Sequence, residues 1–263
     1  MTILDTILEA KRDEVAALKA RRSASSFMDE EHFHRPALSL RASLNEHSIF
    51  GIIAEFKRRS PSAGSIQRVP ASPASVARAY HNSGAAGISV LTDGPFFSGS
   101  LADLREVRNA VTIPVLRKEF ILDELQVYEA RSAGADAVLL IAGVLDKHQL
   151  SDLHDAATGV GLECLVELHN LADLDILDGE KMRLFGVNNR DLRTFSVDIF
   201  RTIEIARLLP ADATIVSESG IHDAATLRQL HAAGVHAALI GELFMKSADP
   251  GAALAGLLKD FSG

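Results

Sequence analysis

The chain repeats one pattern of polar and apolar positions. A segment that mixes polar and apolar residues is followed by a turn containing Gly, and then by a short run of Val, Ile, Leu and Ala. The pattern is clearest in SGAAGISVLT, AGADAVLLIA and AGVHAALIGE, whose first glycines, Gly84, Gly134 and Gly234, are 50 and 100 residues apart. Because one strand and one helix together take about 25 residues, both intervals are whole numbers of strand–helix units.

Eight apolar runs are candidate strands. The runs are continuous rather than alternating, which is typical of parallel strands that helices cover on both faces. They are residues 51–57, 87–92, 114–118, 136–141, 162–167, 184–188, 213–218 and 236–241. Residues that begin helices lie between these runs, where an N-cap and a first helical turn are expected; they are Ser72-Pro73, Ser100, Asp123 and Asp223.

Eight strands that alternate with helices over about 210 residues predict a (β/α)8 TIM barrel. An open, doubly wound sheet is the alternative, because alternation alone does not prove that the sheet closes. The first strand is not followed by GxGxxG, which weakens a dinucleotide-binding form of that sheet. Residues 1–48 are expected to form an N-terminal helical extension and residues 49–263 the barrel, together making a single domain.

Composition and charge narrow the possible functions. The 263 residues, 47% of them hydrophobic, suit one globular domain, and the single cysteine, Cys164, favours a reducing, cytoplasmic compartment. No apolar run approaches the ~20 residues of a membrane helix. The formal net charge of -8 argues against nucleic acid and anionic membranes as partners, so an anionic ligand needs a local cationic cluster. The ten histidines lack the spacing of metal ligands, and no metal site is expected.

Charged and amide side chains stand at the ends of five candidate strands. Reacting groups of a barrel project from the carboxyl ends of its strands, and strand alternation puts these side chains on one face of each strand. If that face is the inner one, three carboxylates and two ammonium groups meet at one mouth of the barrel. Burying so many charges is costly without partners, so the convergence indicates a functional site rather than a set of rim salt bridges. The residues are Glu55, Lys57, Lys118, Glu167, Asn188, Arg190 and Glu218.

The loops after the last two strands indicate a phosphate-binding site. Ser219-Gly220 follows the seventh strand and Gly241-Glu242 follows the eighth, and barrels often bind phosphate in these two loops. The stretch GELFMKS can form the short extra helix that accompanies such sites. The loop after the first strand, KRRSPSAGSI (residues 57–66), is the strongest basic cluster of the chain and includes Ser60.

The sequence resembles indole-3-glycerol phosphate synthases over nearly its whole length. The resemblance is carried by IIAEFKRRSPSAG, LRKEF, GVNNRDL and SESGI. Two positions depart from the family pattern, since Glu119 stands where Asp is usual and Leu243 where a small residue is usual.

The resemblance implies an activity and roles. The substrate would be 1-(2-carboxyphenylamino)-1-deoxyribulose 5-phosphate, which closes to indole-3-glycerol phosphate with loss of carbon dioxide and water, without metal or nucleotide cofactor. Lys118 is expected to be the general acid, with Glu55 beside it to orient and partly balance its ammonium group. Glu167 is expected to be the base, and Lys57 is either a second acid or a clamp on the substrate carboxylate.

The remaining expected contacts hold the substrate. Asn188 and Glu218 would hydrogen-bond to it, Ser60 and Arg190 would hold its anionic groups, and Ser219, Gly220, Gly241 and Glu242 would form the phosphate loops. The chain would act as a monomer or a weak homodimer. Two alternatives remain open, a Schiff-base aldolase with Lys118 as nucleophile, and a sugar-phosphate binding module without catalysis.

Overall fold

Eight parallel strands close into a barrel in the computed structural model, which describes residues 2–47, 50–62, 64–66, 71–191 and 194–263. The described residues form ten strands, of which β2 and β3 lie outside the barrel. They are β1 Gly51–Phe56, β2 Arg59–Ser60, β3 Gly64–Ser65, β4 Gly87–Leu91, β5 Val115–Lys118, β6 Ala137–Ile141, β7 Glu163–Leu168, β8 Leu184–Asn188, β9 Thr214–Glu218 and β10 Ala237–Ile240. The α-helices are α1 Ile3–Arg21, α2 Ala24–Met28, α3 Leu40–Asn45, α4 Pro73–Asn82, α5 Leu101–Ala110, α6 Glu124–Ser132, α7 Lys147–Gly159, α8 Phe200–Ala206, α9 Ala224–Ala232, α10 Glu242–Met245 and α11 Pro250–Ser262. Short 3-10 helices cover Glu31–His34, Ala142–Val144 and Leu171–Ile176.

Closure of the sheet decides between the two predicted folds. Strand β1 pairs in parallel with both β4 and β10, so the barrel prediction is confirmed and the open sheet is wrong. All eight expected strands are present, each to within one residue at either end. The small strands β2 and β3 form a separate hairpin in the loop after β1. In the part of the chain that the structure describes, no helix is long and apolar enough to cross a membrane.

The helix-start predictions are also confirmed. The side chains of Ser72, Ser100, Asp123 and Asp223 each accept a backbone N–H from the first turn of the following helix. The helix expected after β7 is present as the 3-10 helix Leu171–Ile176. The expected boundary between the extension and the barrel lies at residues 48–49, outside the described residues.

The N-terminal extension closes the bottom of the barrel, at the amino ends of the strands. Leu40 and Leu44 of α3 are buried and pack in one cluster with inward-facing side chains such as Ile53 and Leu116. Two glycines make room for them. A Cβ on Gly51 would approach Leu44 Cδ2 to 2.9 Å, and one on Gly87 would approach Leu40 Cδ1 to 2.7 Å.

A buried carboxylate ties the same extension to the barrel wall. Asp136, which is fully buried, accepts hydrogen bonds from Arg35 Nη2 at 2.6 Å, from the Leu38 N–H at 2.8 Å and from Arg108 Nη1 at 2.5 Å. Two of these donors belong to the extension and one to α5. The extension is therefore held at the bottom of the barrel by apolar packing and by a paired buried charge.

We predict that Leu40→Ala lowers the free energy of unfolding by about 2–5 kcal/mol, because it leaves a cavity at a fully buried position. Urea denaturation measures this change. The control is the same truncation at Leu208, which is 61% exposed and should change stability by no more than about 0.5 kcal/mol. Equal effects of the two substitutions would show that α3 does not seal the barrel.

Candidate active site

A cavity of about 180 Å³ opens at the carboxyl ends of the barrel strands. It brings together every residue that the sequence placed in the site. Lining it are Glu55, Lys57, Ser60, Lys118, Glu167, Asn188, Arg190, Glu218, Ser219, Gly220, Gly241 and Glu242. The inner-face assignment from strand alternation is thus correct for all five strand ends that carried charged or amide side chains.

The ammonium group of Lys118 is at the centre of the cavity's polar side. Its Nζ lies 2.6 Å from Glu167 Oε2 and 2.6 Å from Glu218 Oε2. Counted around the barrel, Lys118 comes from the third strand, Glu167 from the fifth and Glu218 from the seventh. Alternate strands of a (β/α)8 barrel supply one interior layer, which explains why these three side chains meet.

Electrostatics keeps Lys118 charged. Burial opposes its charge, but the carboxylates of Glu167, Glu218 and Glu55 outweigh burial, so the pKa of Lys118 lies above its ordinary value. The same ammonium group, with His169, holds the pKa of Glu167 well below the usual range, even though burial acts in the opposite direction. Lys118 and Glu167 therefore form an ionised pair at neutral pH.

The second carboxylate beside Lys118, Glu218, has a pKa shifted in the opposite direction from that of Glu167. Burial, and to a lesser degree the charge of Glu167, raise the pKa of Glu218 to about 8 against the pull of Lys118. Its Oε1 atom is buried and accepts no hydrogen bond from the described residues. The space for this oxygen depends on Gly186, where a Cβ would lie 2.1 Å from it. Glu218 thus offers an unpartnered oxygen, and at neutral pH often a proton, to a ligand.

Glu55 has a different partner from the one expected. Its Oε1 accepts a hydrogen bond from Lys57 Nζ at 2.5 Å, whereas the ion-pair partners of Lys118 are Glu167 and Glu218. Glu55 therefore does not orient Lys118 by direct contact in this structure, whereas its charge partly balances the Lys118 ammonium group as expected. Gly241 leaves room for Glu55, since a Cβ there would lie 2.6 Å from Glu55 Oε1.

The loop after β9 has an unusual backbone conformation. Ser219 and Gly220 have positive φ angles of 69° and 78°, which is rare for serine. Asn189 donates to the Ser219 carbonyl at 3.1 Å and to Ser217 Oγ at 2.9 Å, and so supports the strained turn. Sequence reasoning missed Asn189, which directly follows Asn188 in the NNRD motif.

The short helix expected in GELFMKS is present as α10. The side chain of Glu242 accepts from Lys246 Nζ at 2.5 Å and lies 3.8 Å from Arg190 Nη2, so its charge is balanced. That contact joins the loop after β8 to the loop after β10. Leu243, the larger residue that departs from the family pattern, also lines the cavity.

Two cationic side chains of the basic loop after β1 make different contacts. Lys57 faces the cavity, whereas Arg58 makes two hydrogen bonds to Asp103, at 2.5 and 2.8 Å, and lies over the Phe56 ring. The hairpin of β2 and β3 then carries Ser60 into the cavity wall. Ala63, which belongs to the predicted loop, lies outside the described residues.

Sequence reasoning missed two further features of the site. His169 Nε2 lies 3.1 Å from Glu167 Oε1, and although burial opposes its charge, the Glu167 carboxylate raises the pKa of His169. One wall of the cavity is apolar, and it is built partly by helix α1 of the N-terminal extension, in which the sequence predicted no site residue. This wall includes Ile3, Leu4, Ile7, Phe97 and Phe120.

Within the described residues, no three His, Cys, Asp or Glu side chains are grouped so that they could hold a metal ion. Cys164 is buried, and burial raises the pKa of its thiol, so it is a packed residue rather than a nucleophile.

A closed barrel with a buried ammonium group between two carboxylates at its mouth defines a (β/α)8-barrel enzyme with an acid–base site. The family model described as indole-3-glycerol phosphate synthase matches residues 4–257. The chain belongs to the indole-3-glycerol phosphate synthase family.

Curated relatives agree with this family. The chain is 46% identical over 257 residues to the indole-3-glycerol phosphate synthase of Desulfotalea psychrophila, covering 97% of this chain and 98% of the relative. It is 45% identical over 249 residues to the enzyme of the same name from Rhodopirellula baltica, covering 95% and 96% of the two chains.

Solved structures with low sequence identity share the fold alone. The 3-hexulose-6-phosphate synthase of Salmonella typhimurium matches with a TM-score of 0.61 at 16% identity, over 81% of this chain and 96% of that one. The tryptophan synthase subunit alpha of Legionella pneumophila matches with a TM-score of 0.60 at 13% identity, over 84% and 96%.

The raised pKa of Glu218 predicts a pH-dependent cost in stability. Since its folded pKa of about 8 exceeds the ordinary value of 4.5, its contribution is fully present below pH 4.5 and is lost as the pH rises through about 8. Glu218→Gln removes this loss. We expect its unfolding free energy relative to the natural chain to increase between about pH 4.5 and about pH 8 and to level off at higher pH.

Urea denaturation at several pH values measures that difference. Glu124→Gln, a change at an exposed position, serves as the control and should differ from the natural chain by a constant amount. A Glu218→Gln difference as flat as the control's would contradict the raised pKa.

Proposed function

We propose that the protein is an indole-3-glycerol phosphate synthase, a carboxy-lyase of tryptophan biosynthesis. It would close the carboxyphenylamino-deoxyribulose phosphate to indole-3-glycerol phosphate, releasing carbon dioxide and water. The observation that carries this function is the Lys118 ammonium group, held at 2.6 Å by two buried carboxylates inside the cavity of a chain of this family. The cavity also has an apolar side for an aromatic ring, and the loop after β9, with its positive φ angles at Ser219 and Gly220, would suit an anion.

In the first half of the reaction, the substrate ketone is polarised so that the carboxylate-bearing ring carbon can attack it. We assign Lys118 as the general acid that donates a proton to the ketone oxygen, which becomes a hydroxyl as the new carbon–carbon bond forms. The ring then carries a positive charge shared with its nitrogen. The bond to the carboxylate breaks, and its electron pair neutralises this charge as carbon dioxide leaves, so the intermediate serves as its own electron sink.

The second half is a dehydration. The hydroxyl leaves as water after it gains a proton from an acid, while a base removes a proton from the neighbouring ring carbon. We assign Glu167 as the base, because its depressed pKa keeps it ionised. Lys57, held by Glu55, is either the second acid or the clamp on the substrate carboxylate. Asn188, whose Nδ2 lies 3.3 Å from Glu167 Oε1, and Glu218 would hydrogen-bond to the substrate.

The phosphate would bind in the same cavity, against the loops after β9 and β10. Ser60 and Arg190 would contribute side chains. The carboxylate of Glu242 is engaged by Lys246, so we assign its backbone rather than its side chain to the anion. The loop residues of this subsite are Ser219, Gly220, Gly241 and Glu242.

The same proposal includes the domain organisation, the partners and the cellular location of the enzyme. Residues 1–48 and 49–263 would act as one domain, since α3 packs into the barrel interior. The partner would be a small phosphorylated substrate and not nucleic acid, which the net charge of -8 disfavours. The enzyme would work in the cytoplasm, without a metal or nucleotide cofactor, as a monomer or a weak homodimer.

We predict that Lys118→Ala lowers kcat by about 10²–10⁴-fold while largely preserving substrate binding. Turnover is followed by the fluorescence of the indole product, which is favourable because the chain contains no Trp. Lys181→Ala is the matched control, since Lys181 pairs with Asp155 at the surface. Near-normal kcat in Lys118→Ala would remove Lys118 from the role of acid.

The aldolase alternative makes a different prediction for the same lysine. A Schiff base between Lys118 and the substrate would be trapped by borohydride and detected as a mass increase on the Lys118 peptide. The proton-donor role predicts no adduct, and a stoichiometric adduct would support the aldolase.

Glu167→Gln should lower kcat more than it weakens binding, because the base acts only after the substrate is bound. Steady-state kinetics with the same fluorescence signal separates the two effects. Glu204→Gln, at an exposed position outside the cavity, is the control and should match the natural chain. A change in KM alone would make Glu167 a binding residue.

A further inference from the structure

We propose that Lys11 is a positioning residue of the active site, which acts through Asp93 and Glu119 on the aromatic side chains of Phe97 and Phe120. The inference rests on the proposed function, because the aromatic ring of the substrate is the group that this wall would meet. Lys11 itself is not part of the cavity lining, whereas Ile7, one helical turn earlier, is.

Lys11 is buried in a helix whose charged side chains otherwise face solvent. It is only 2% exposed, and its position on α1 continues the stripe of Leu4, Leu8, Val15 and Leu18. Apolar residues occupy the rest of that stripe. A buried ammonium group costs several kcal/mol unless it is paired, so its presence here requires specific partners.

Two buried carboxylates from the barrel supply those partners. Lys11 Nζ lies 3.2 Å from Asp93 Oδ2 and 3.0 Å from Glu119 Oε1, and the half-exposed Glu14 adds a third contact at 2.6 Å. Asp93 and Glu119 are 1% and 4% exposed. Burial opposes the charge of Lys11, but these carboxylates outweigh burial and raise its pKa.

Each buried carboxylate also holds the backbone of one aromatic residue of the cavity wall. Asp93 Oδ1 accepts the N–H of Phe97 at 3.2 Å, and Glu119 Oε1 accepts the N–H of Phe120 at 2.9 Å. The two rings lie 6.2 Å apart, tilted by 39°. One ammonium group therefore sets the positions of both segments that carry the wall's aromatic side chains.

Glu119 also connects this cluster of charges to Lys118, the proposed general acid. It directly follows Lys118, and its Oε2 accepts a hydrogen bond from Thr92 at 2.8 Å. The two carboxylate oxygens of Glu119 reach Thr92 and Lys11, one each. Without the ammonium group, Asp93 and Glu119 would face each other as buried charges. The remaining cation among the described residues would be Arg117, whose Nη2 lies 3.8 Å from Glu119 Oε2, so the excess negative charge would displace the segments that the two carboxylates hold.

The test compares Lys11→Met with Lys19→Met, a substitution on the same helix at a lysine that is 56% exposed and pairs with Asp123. We expect Lys11→Met to raise KM for the carboxyphenylamino-deoxyribulose phosphate about tenfold, because the ring wall shifts. The inhibition constant of inorganic phosphate as a competitive inhibitor should change less than about twofold, because phosphate would bind to the loops after β9 and β10 and not to the apolar wall. Lys19→Met should leave both unchanged, and Lys11→Arg should recover most of the loss.

A second readout does not depend on turnover. Hydrogen exchange of the Phe97 and Phe120 amides should accelerate about tenfold in Lys11→Met and not in Lys19→Met. If Lys11→Met does not fold, Asp93→Asn keeps an oxygen for the Phe97 amide but removes the charge that faces Lys11, and it should raise KM about threefold.

Unchanged KM or unchanged amide exchange in the folded variants would overturn the role of Lys11, as would equal weakening of substrate and phosphate binding. A natural chain that forms no indole-3-glycerol phosphate would instead reject the proposed function, and the amide exchange would then decide the placement of the two aromatic residues by itself.

Discussion

The active site depends on one buried ammonium group and the two carboxylates that share it. Lys118 would be too costly to bury alone, and Glu167 and Glu218 would repel each other without it. The barrel resolves both problems because alternate strands project into a single layer. Gly186 has no side chain and so leaves the space that the Glu218 carboxylate occupies. The result is a charged ammonium group, an ionised carboxylate and a readily protonated carboxyl within one cavity.

The N-terminal extension works at both ends of the same barrel. At the bottom, α3 fills the interior with apolar side chains, and Asp136 fastens the segment before it. At the top, α1 contributes apolar residues to the cavity and a buried lysine beneath them. Stability is thus concentrated at the amino ends of the strands and chemistry at their carboxyl ends, as is usual for this fold. The extension spans both regions, which makes it part of the site as well as of the scaffold.

The barrel and its inner face could be predicted from the sequence because buried parallel strands are continuous apolar runs, and their last inward positions were charged. Alternation reveals a face but not which side chains meet across the barrel. The resemblance placed Glu55 beside Lys118, whereas the ion-pair partner of Glu55 is Lys57, two residues along the same face. Lys11 could not be recognised, because a lysine on a helix is usually solvated, although it interrupts an apolar stripe. The 3-10 helix after β7 and the contact of His169 with Glu167 depend on tertiary packing and left no periodic signal.

If the shared ammonium group organises the chemistry, Lys118 and Glu167 must act as a unit. A double-mutant cycle on kcat, built from Lys118→Met, Glu167→Gln and the combined variant, tests this directly. The expected result is strong non-additivity, with the combined variant about as slow as the slower single variant. Losses that simply multiply would show that the two side chains act independently and would contradict a reaction centred on their ion pair.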